Sequence, residues 1–354
     1  AGLSAAFNSP LSGIIFALEE IHRNFSPLVL LPAMAAAISA DFISKNFLGM
    51  EPALNFSEMN AIPLKYYWIL IILGVFTGIL GVLFSKGIYL FQDIYSKLKK
   101  VPQEVKVMIP FVITAIVGLI APMLLGGGHE LILELTEGGQ SILFLIIIYI
   151  LKFLLLLVCF GSGVPGGIFL PMLLLGAIIG DVFGVLSIEL LGVNSSFIIN
   201  FIALGMAGYF VSVVKAPVTG IVLIMEMTGS FSHLLSLSVV VIISFITSEL
   251  LRNEPIYEVL LERLLKRVGV SKEENDNKKA ILEFVVEMES IVEGKFISEV
   301  DWPKDCLLVS IKRGDKEIIP RGSVKLISGD YIVVLVNIDK RASVIEEING
   351  LTLV

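Results

Sequence analysis

Charged residues are scarce in this sequence, and the shortage is concentrated in one part of it. Only 17% of the 354 residues are Asp, Glu, Lys or Arg, whereas soluble globular proteins have about 25%. After residue 267 the chain holds 28 charged residues among 87, while the first 267 residues hold 31. This break in composition predicts a membrane domain over 1–267, a linker over 268–280 and a soluble domain over 281–354.

Cysteine, histidine and basic charge are also in short supply, and each shortage argues against a class of function. Cys159 lies in an apolar run and Cys306 in the soluble part, so the two do not suggest a disulfide. The three histidines are scattered without a second ligand at metal spacing, and we expect no metal site. A net charge of −7 lacks the basic face that a nucleic acid partner requires.

Long apolar runs, in contrast, are abundant. Hydrophobic residues make up 56% of the chain, and a bilayer core needs about 20 apolar residues per helix. We predict membrane spans at 28–47, 66–91, 108–124, 141–160, 168–191, 197–213 and 234–251, with shorter apolar helices at 5–20 and 217–228. The sequence therefore indicates an all-α polytopic membrane protein followed by a small soluble domain.

The charges of the connecting loops predict the orientation of the spans. Loop 92–107 carries four lysines, whereas loops 48–64 and 125–140 carry acids and neither Lys nor Arg. Because positive residues collect on the cytoplasmic side, we expect 92–107 to face the cytoplasm. Counting spans back from there, the Glu20 end of the first helix also faces the cytoplasm. The basic residues Arg263, Lys266 and Arg267 predict the same side for the end of the last membrane helix.

Two short helices share one pattern at a distance of 207 residues. AAFNSPLSGIIFALEE at 5–20 and SVVKAPVTGIVLIMEM at 212–227 align Pro10 with Pro217 and Glu19 with Glu226. Internal repeats are typical of secondary transporters, whose inverted halves form the ion site where broken helices meet. The pattern predicts an internal repeat whose first half lies mostly upstream, so that about 180 residues of membrane protein are expected before the first residue of this chain. Chance similarity of two apolar helices is the alternative.

The segment GSGVPGGIFLP, residues 161–171, interrupts the apolar sequence between the predicted spans 141–160 and 168–191. Gly161, Gly163, Pro165 and Gly166 cannot hold a regular helix, so a helix is expected to restart at about Gly167. The first turn of a helix has unpaired N–H groups and a positive dipole end, which suits an anion where no acid is near. The alternative interpretation is a Gly/Pro kink between packed helices.

These residues resemble a known family. The GxFxP pattern after a Gly-rich break, the segment AAFNSPLSGIIFALEEI, and the segments APVTGIVLIMEMTG and NEPIYEVLLERLL resemble the CLC chloride channels and chloride/proton antiporters, in the family's order over about 1–267. The resemblance implies the CLC fold, an inverted repeat with broken helices. The family's first anion motif and external gating glutamate belong to the upstream half, so Ser162 is not assigned the role of the family's gating serine.

The resemblance implies an anion site at four positions of one motif and at one tyrosine. Backbone N–H groups of Ile168 and Phe169 would bind the anion, and Gly167 and Pro171 would shape the turn. Tyr257, at the start of the last helix, would add its hydroxyl. A tyrosine at the membrane boundary is also common without any such role.

The second glutamate of the EE pair, Glu20, corresponds to the internal proton-transfer residue of the family's antiporters. A carboxylate near the cytoplasmic edge of a helix bundle can load and release a proton. The alternative is an ordinary helix-end acid paired with His22 or Arg23. Glu19 is interpreted as structural.

The soluble part alternates apolar stretches with turns and ends in a helical pattern, which predicts a small α+β domain. IKRGDKEIIPRGSVKLISGDYIVVL resembles the C-terminal subdomain of RCK/TrkA regulators, TrkA-C, over 281–349. Such domains pair into dimers, and some bind small ligands. No residue identifies a ligand here, and a dimerising cap and a regulatory domain remain equal alternatives.

Together these resemblances imply a CLC-type transporter that exchanges chloride for protons. The implied protein is a homodimer in the plasma membrane of a prokaryote, with its TrkA-C-like domain in the cytoplasm and no cofactor. A passive chloride channel, a fluoride-selective member, a cation transport component and a non-conducting assembly fragment are the alternatives. Against a cation site, segment 161–171 contains no acidic residue.

Overall fold

The computed structural model describes residues 1–23, 25, 27–49, 54, 56, 59–98, 101–164, 166–268, 279–314, 316–337 and 340–352. Most of the predicted linker (269–278) and Pro165 of the predicted helix break lie outside the described residues. The chain divides into two compact units, Ala1–Val259 and Leu260–Val354, and each is described by itself.

The described residues of the first unit are predominantly helical. The helices are α1 (Gly2–Phe7), α2 (Pro10–Phe16), α3 (Pro27–Leu48), α4 (Tyr67–Lys97), α5 (Gln103–Ile120), α6 (His129–Glu137), α7 (Ile142–Gly161), α8 (Phe169–Leu191), α9 (Ile198–Val214), α10 (Pro217–Thr228), α11 (Leu234–Leu250) and the start of α12 (Ile256–Val268). Among the described residues, five helical segments are long and apolar enough to cross a membrane. They are Leu28–Phe47, Leu64–Lys97, Ile142–Gly161, Phe169–Leu191 and Ser195–Val214.

The structure differs from the prediction at two of the spans and in one loop. The predicted spans 108–124 and 234–251 correspond to α5 and α11, which are not among those five. Helix α6 was not predicted and lies inside the loop 125–140. Its apolar residues Leu131, Ile132 and Leu135 are buried, because the short helix packs on α8.

The prediction of a single helix over 5–20 is wrong, because the helix is interrupted between Phe7 and Pro10. Helix α1 ends at Phe7, Asn8 adopts a left-handed conformation with φ 52°, and α2 begins at Pro10. Proline has no N–H for a helix interior but fits the first turn, and asparagine tolerates the left-handed region. Helix α2 then continues into a π-helical turn over Ala17–Ile21, which carries Glu19 and Glu20.

Helices α8 and α9 pack so closely that their backbones are in contact. A Cβ atom added to Gly180 would lie 2.1 Å from the carbonyl oxygen of Phe201, and one added to Gly176 would lie 2.5 Å from that of Gly205. Small residues at four-residue spacing let two helix backbones touch, which is how helices associate in a membrane. The tight α8–α9 pair holds the start of α8 in place.

Helices α2 and α10, the two copies of the repeat, cap each other. Glu19 accepts hydrogen bonds from the N–H groups of Val218 (3.0 Å) and Thr219 (2.7 Å) and from the Thr219 hydroxyl. Glu226 of α10 accepts the equivalent bonds at the start of α2. They come from the N–H groups of Leu11 (3.0 Å) and Ser12 (2.7 Å) and from the Ser12 hydroxyl.

Each of these donors is shifted by 207 positions relative to its counterpart, as are the two acids. Exchanging the two helices therefore exchanges the two sets of bonds. That is the internal symmetry expected of an inverted repeat.

The second unit is the predicted α+β domain. Its strands are β1 (Lys279–Val285), β2 (Cys306–Arg313), β3 (Lys316–Ile318) and β4 (Tyr331–Asn337), followed by helix α13 (Arg341–Thr352). The sheet is antiparallel in the order β1-β4-β2-β3. Its core includes Ile311 of β2, Val334 of β4 and Ile348 of α13.

One buried carboxylate ties this sheet to the turn before β4. Asp330 is fully buried and accepts hydrogen bonds from Nε (2.7 Å) and Nη2 (2.8 Å) of Arg313 and from the N–H of Ile327. We expect Asp330→Ala to destabilise the domain by about 2–4 kcal/mol, since it leaves these donors without an acceptor.

Hydrogen–deuterium exchange of the purified protein measures this effect as faster exchange in β2 and β4. The exposed acid Glu317 serves as the control through Glu317→Ala, which is expected to leave the exchange unchanged. Unchanged protection of β2 and β4 in Asp330→Ala would contradict the prediction.

Candidate functional site

The predicted break between two membrane helices is present in the structure. Helix α7 ends at Gly161, Gly163 has φ 79° in the left-handed region that favours glycine, and α8 begins at Phe169 with Ile168 as its N-terminal cap. The predicted restart at Gly167 is therefore about two residues early. The backbone from 162 to 168 has no regular helical pairing where it is described, and it crosses from one long apolar helix to another.

The start of α8 presents backbone N–H groups without a helical partner. The first helical bond runs from the N–H of Met172 to the carbonyl of Ile168 at 3.0 Å, so the N–H groups of Ile168, Phe169 and Leu170 precede it. Such first-turn groups have no acceptor within the helix. Pro171 has no N–H to offer, and the first turn of α8 carries no acid. This arrangement suits an anion.

Aromatic rings join the motif to Tyr257. The ring of Phe169 lies 5.0 Å from Phe7, 6.4 Å from Phe16 and 5.1 Å from Phe210, measured between centroids. The ring of Phe16 lies 6.1 Å from that of Tyr257. Two predicted anion-site residues that are 88 positions apart in sequence thus pack on the same ring, Phe16 of α2.

Gly167 and Pro171 border open space. A cavity of about 410 Å³ is lined by Gly166, Gly167, Phe169 and Pro171, together with residues from α1, α5, α7 and the loop after α5. A Cβ atom added to Gly167 would meet nothing within 4 Å. The backbone of the motif therefore stays accessible from this cavity.

Glu20 lies four residues beyond Phe16 on the same helical segment, outside the five membrane-spanning helices. Its side chain is 5% exposed, and its Oε1 lies 3.9 Å from Nη2 of Arg23. Burial raises the pKa of the Glu20 carboxyl to about 7, while Arg23 acts in the opposite direction. Burial, and to a smaller extent the Glu20 carboxylate, also raises the pKa of the Tyr257 hydroxyl. Glu20 is therefore an acid that can gain and lose a proton near neutral pH.

The two glutamates of the EE pair have different surroundings. The Glu19 carboxylate is occupied by three hydrogen bonds at the start of α10. Glu20, the next residue, points into a buried position beside Arg23. The structure thus assigns a capping role to Glu19 and leaves Glu20 available for protonation.

Lys152 lines the cavity and is not among the site residues predicted from the sequence. It is buried on α7, lines the same cavity, and donates from Nζ to the carbonyls of Leu124 (2.7 Å) and Gly126 (2.8 Å). A signal was present, because Lys152 is the single charged residue in the apolar run 142–160, and charges at membrane depth are expensive. It brings a positive charge to the cavity wall.

Ser162 has a local role. Its hydroxyl donates to the carbonyl of Cys159 at 2.6 Å and accepts from the N–H of Val164 at 3.3 Å. Both hydrogen bonds are to backbone groups at the C-terminal end of α7.

Two family models match the chain. The model of the voltage gated chloride channel covers residues 1–249, and the TrkA-C domain model covers residues 281–349.

Individual relatives agree with these matches. The chain is 35% identical over 270 residues to the H(+)/Cl(-) exchange transporter ClcA of Vibrio parahaemolyticus, covering 75% of this chain and 58% of that relative. The crystal structure of a slow cyanobacterial Cl-/H+ antiporter matches with a TM-score of 0.70 and 30% identity, over 76% of this chain and 64% of that one. The structure of a CLC-type fluoride/proton antiporter matches with a TM-score of 0.56 and 24% identity, over 68% and 59%, and supports the fold alone. The chain spans less than two thirds of the length of each of these proteins.

Proposed function

The chain belongs to the voltage-gated chloride channel family, and from that premise we propose that it takes part in the exchange of chloride for protons across a membrane. The observation that carries the proposal is the arrangement around Phe16, where Phe169 of the motif and Tyr257 pack on one ring and Glu20 follows on the same segment. Relatives named as chloride/proton exchangers support the same chemistry.

Chloride would bind at the start of α8. The N–H groups of Ile168 and Phe169 and the hydroxyl of Tyr257 would replace part of the water around the ion, and Gly167 and Pro171 would keep the turn open. Binding by helix-end dipoles is favourable without a full positive charge, so the ion can leave again. Lys152 would add a fixed positive charge on the wall of the adjoining cavity.

Protons would pass through Glu20. Its carboxyl lies at the end of α2 that the loop charges assign to the cytoplasm. A buried acid with a pKa of about 7 changes its protonation state in the neutral range. We further propose a homodimer in the plasma membrane whose TrkA-C domain lies in the cytoplasm and dimerises or regulates the transporter. Chloride, protons and lipid are the partners, and the proposal needs no cofactor.

The test follows chloride efflux and proton uptake together in liposomes that contain the full-length protein. We expect wild type to drive protons against their gradient when chloride flows out. Glu20→Gln, which cannot carry a proton, is expected to pass chloride and to lose at least nine tenths of the proton uptake. Glu254→Gln is the matched control, because Glu254 is exposed and undergoes the same loss of charge.

Each other outcome rejects a defined part of the proposal. Chloride flux without proton movement in wild type would make the protein a channel and Glu20 an ordinary helix-end acid. Flux of a cation in place of chloride would show that the start of α8 is not an anion site. Proton uptake that survives Glu20→Gln would remove the role of Glu20 alone.

A further inference from the structure

Arg23 lies between Glu20 and a second acid that the transport mechanism above does not use. Its Nη1 is 2.7 Å from Oε2 of Glu258, whereas its Nη2 is 3.9 Å from Oε1 of Glu20. Glu258 follows Tyr257 in α12 and is 235 positions away from Arg23. One guanidinium is therefore shared by two carboxylates, and it is closer to Glu258.

Glu20 is buried, whereas Arg23 and Glu258 are partly exposed to solvent. The side chain of Glu20 is 5% exposed, that of Glu258 is 35% exposed and that of Arg23 is 46% exposed. The ion pair with Glu258 lies nearer to solvent, while the acid that would carry the proton is the buried one. Arg23 has φ 53°, a left-handed conformation that is uncommon for a residue with a side chain.

The charges around Glu20 act in opposite directions. Arg23 favours the ionised form of Glu20, whereas the negative charges of Glu258 and Glu19 disfavour it. Tyr257 is neutral, because its raised pKa keeps the hydroxyl protonated. On α3, which also packs against the π-helical turn, Asp41 and Lys45 are paired with each other at 2.7 Å. Arg23 and Glu258 are thus an ion pair whose two members act on the buried acid in opposite directions.

We propose that Arg23 and Glu258 are positioning residues that set the pH range over which Glu20 takes up and releases its proton. Glu258 holds the guanidinium away from Glu20, so that the buried acid keeps a high affinity for protons. This inference rests on the proposed function in one respect only, namely that the proton on Glu20 is a transported one.

The first measurement is the pH dependence of coupled proton uptake in liposomes. Arg23→Gln removes the charge that favours ionised Glu20, and we expect the midpoint to rise by about 0.5–1 pH unit. Glu258→Gln releases Arg23 to close on Glu20, and we expect the midpoint to fall by a similar amount. Glu254→Gln, with the same charge change at an exposed position four residues earlier, is expected to keep the wild-type midpoint.

A second measurement does not depend on transport. Infrared difference spectroscopy follows the carboxyl band of Glu20, which is identified by its loss in Glu20→Gln, as the pH is varied. We expect the band to titrate with the same opposite shifts in Arg23→Gln and Glu258→Gln. Arg23→Lys keeps the charge and is expected to return the midpoint most of the way to wild type, which a merely structural role of Arg23 would not require.

The two measurements separate the two proposals. If the midpoint of the infrared band shifts in opposite directions in the two variants but wild type transports no protons, the proposed action of Arg23 and Glu258 on Glu20 stands and the proposed chloride/proton exchange is rejected. Shifts in one direction for both variants, or midpoints equal to that of Glu254→Gln, would overturn the coupling whatever the protein transports.

Discussion

Gly180→Ala is expected to destabilise the packing of α8 on α9 strongly. The added Cβ would lie 2.1 Å from the carbonyl oxygen of Phe201, which belongs to the backbone and cannot turn aside. Overpacking of a well-packed interior costs about 1–3 kcal/mol and occasionally more, and a backbone clash should lie at the upper end. The consequence reaches the proposed site, because α8 carries the residues that we propose bind the anion and Phe210 of α9 contacts Phe169. The measurement is the melting temperature and the size-exclusion profile in detergent.

Gly184→Ala, one turn further along the same helix, is the matched control. There the nearest atom to the added Cβ is Cγ1 of Ile198 at 3.2 Å, and a side chain can shift by a few tenths of an ångström. We expect this variant to remain monodisperse with a small change in melting temperature. A Gly180→Ala protein that melts like wild type would show that the two helices can separate without cost.

Glu19→Gln and Glu226→Gln are expected to destabilise the membrane unit by similar amounts. Each change removes a charged acceptor from two backbone N–H groups and one hydroxyl at the start of the partner helix. Hydrogen bonds to charged groups contribute about 1.5–3 kcal/mol, and a carboxylate also interacts favourably with a helix N-terminus. We therefore expect a loss of about 1.5–3 kcal/mol for each variant, measured by thermal unfolding in detergent.

Because the two sets of hydrogen bonds are equivalent, the stability loss of the double variant can also be predicted. The double variant should lose about the sum of the two, since distant sites act independently to within about 0.5 kcal/mol and the capped helix starts lie at opposite ends of the pair. Glu254→Gln again controls for loss of charge at an exposed position. Strongly unequal losses in the two single variants would mean that the two helices are not held by equivalent bonds.

Much of the fold could be predicted from the sequence, because its signals are local. Long apolar runs, glycine and proline at the helix break, and the change in charge after residue 267 each act within a few turns of chain. The family models agree with that division over 1–249 and 281–349. The exact domain boundaries and the roles of Gly167, Ile168, Phe169, Pro171, Tyr257 and Glu20 stay predictions.

Local signals also explain what was missed. The break at Asn8 is hidden in the sequence, because apolar residues lie on both sides of it, although Pro10 marks the new helix start. The sequence predicts a loop in place of helix α6, because its nine residues are too few and too acidic to indicate a membrane span. Its burial against α8 is a tertiary effect that the apolar pattern alone could not show.

The sequence by itself determined the membrane class, the repeat and the residue types at the helix break. Only the tertiary structure decided that Glu19 caps α10 while its neighbour Glu20 is buried beside Arg23, and that Glu258 shares the same guanidinium. The physical reason is that the contacts of Glu19 with α10 and of Arg23 with Glu258 join residues 200 and 235 positions apart, while the burial of Glu20 depends on the helices packed around it. Their energies depend on distance and burial in space, and neither leaves a mark in the spacing of residues along the chain.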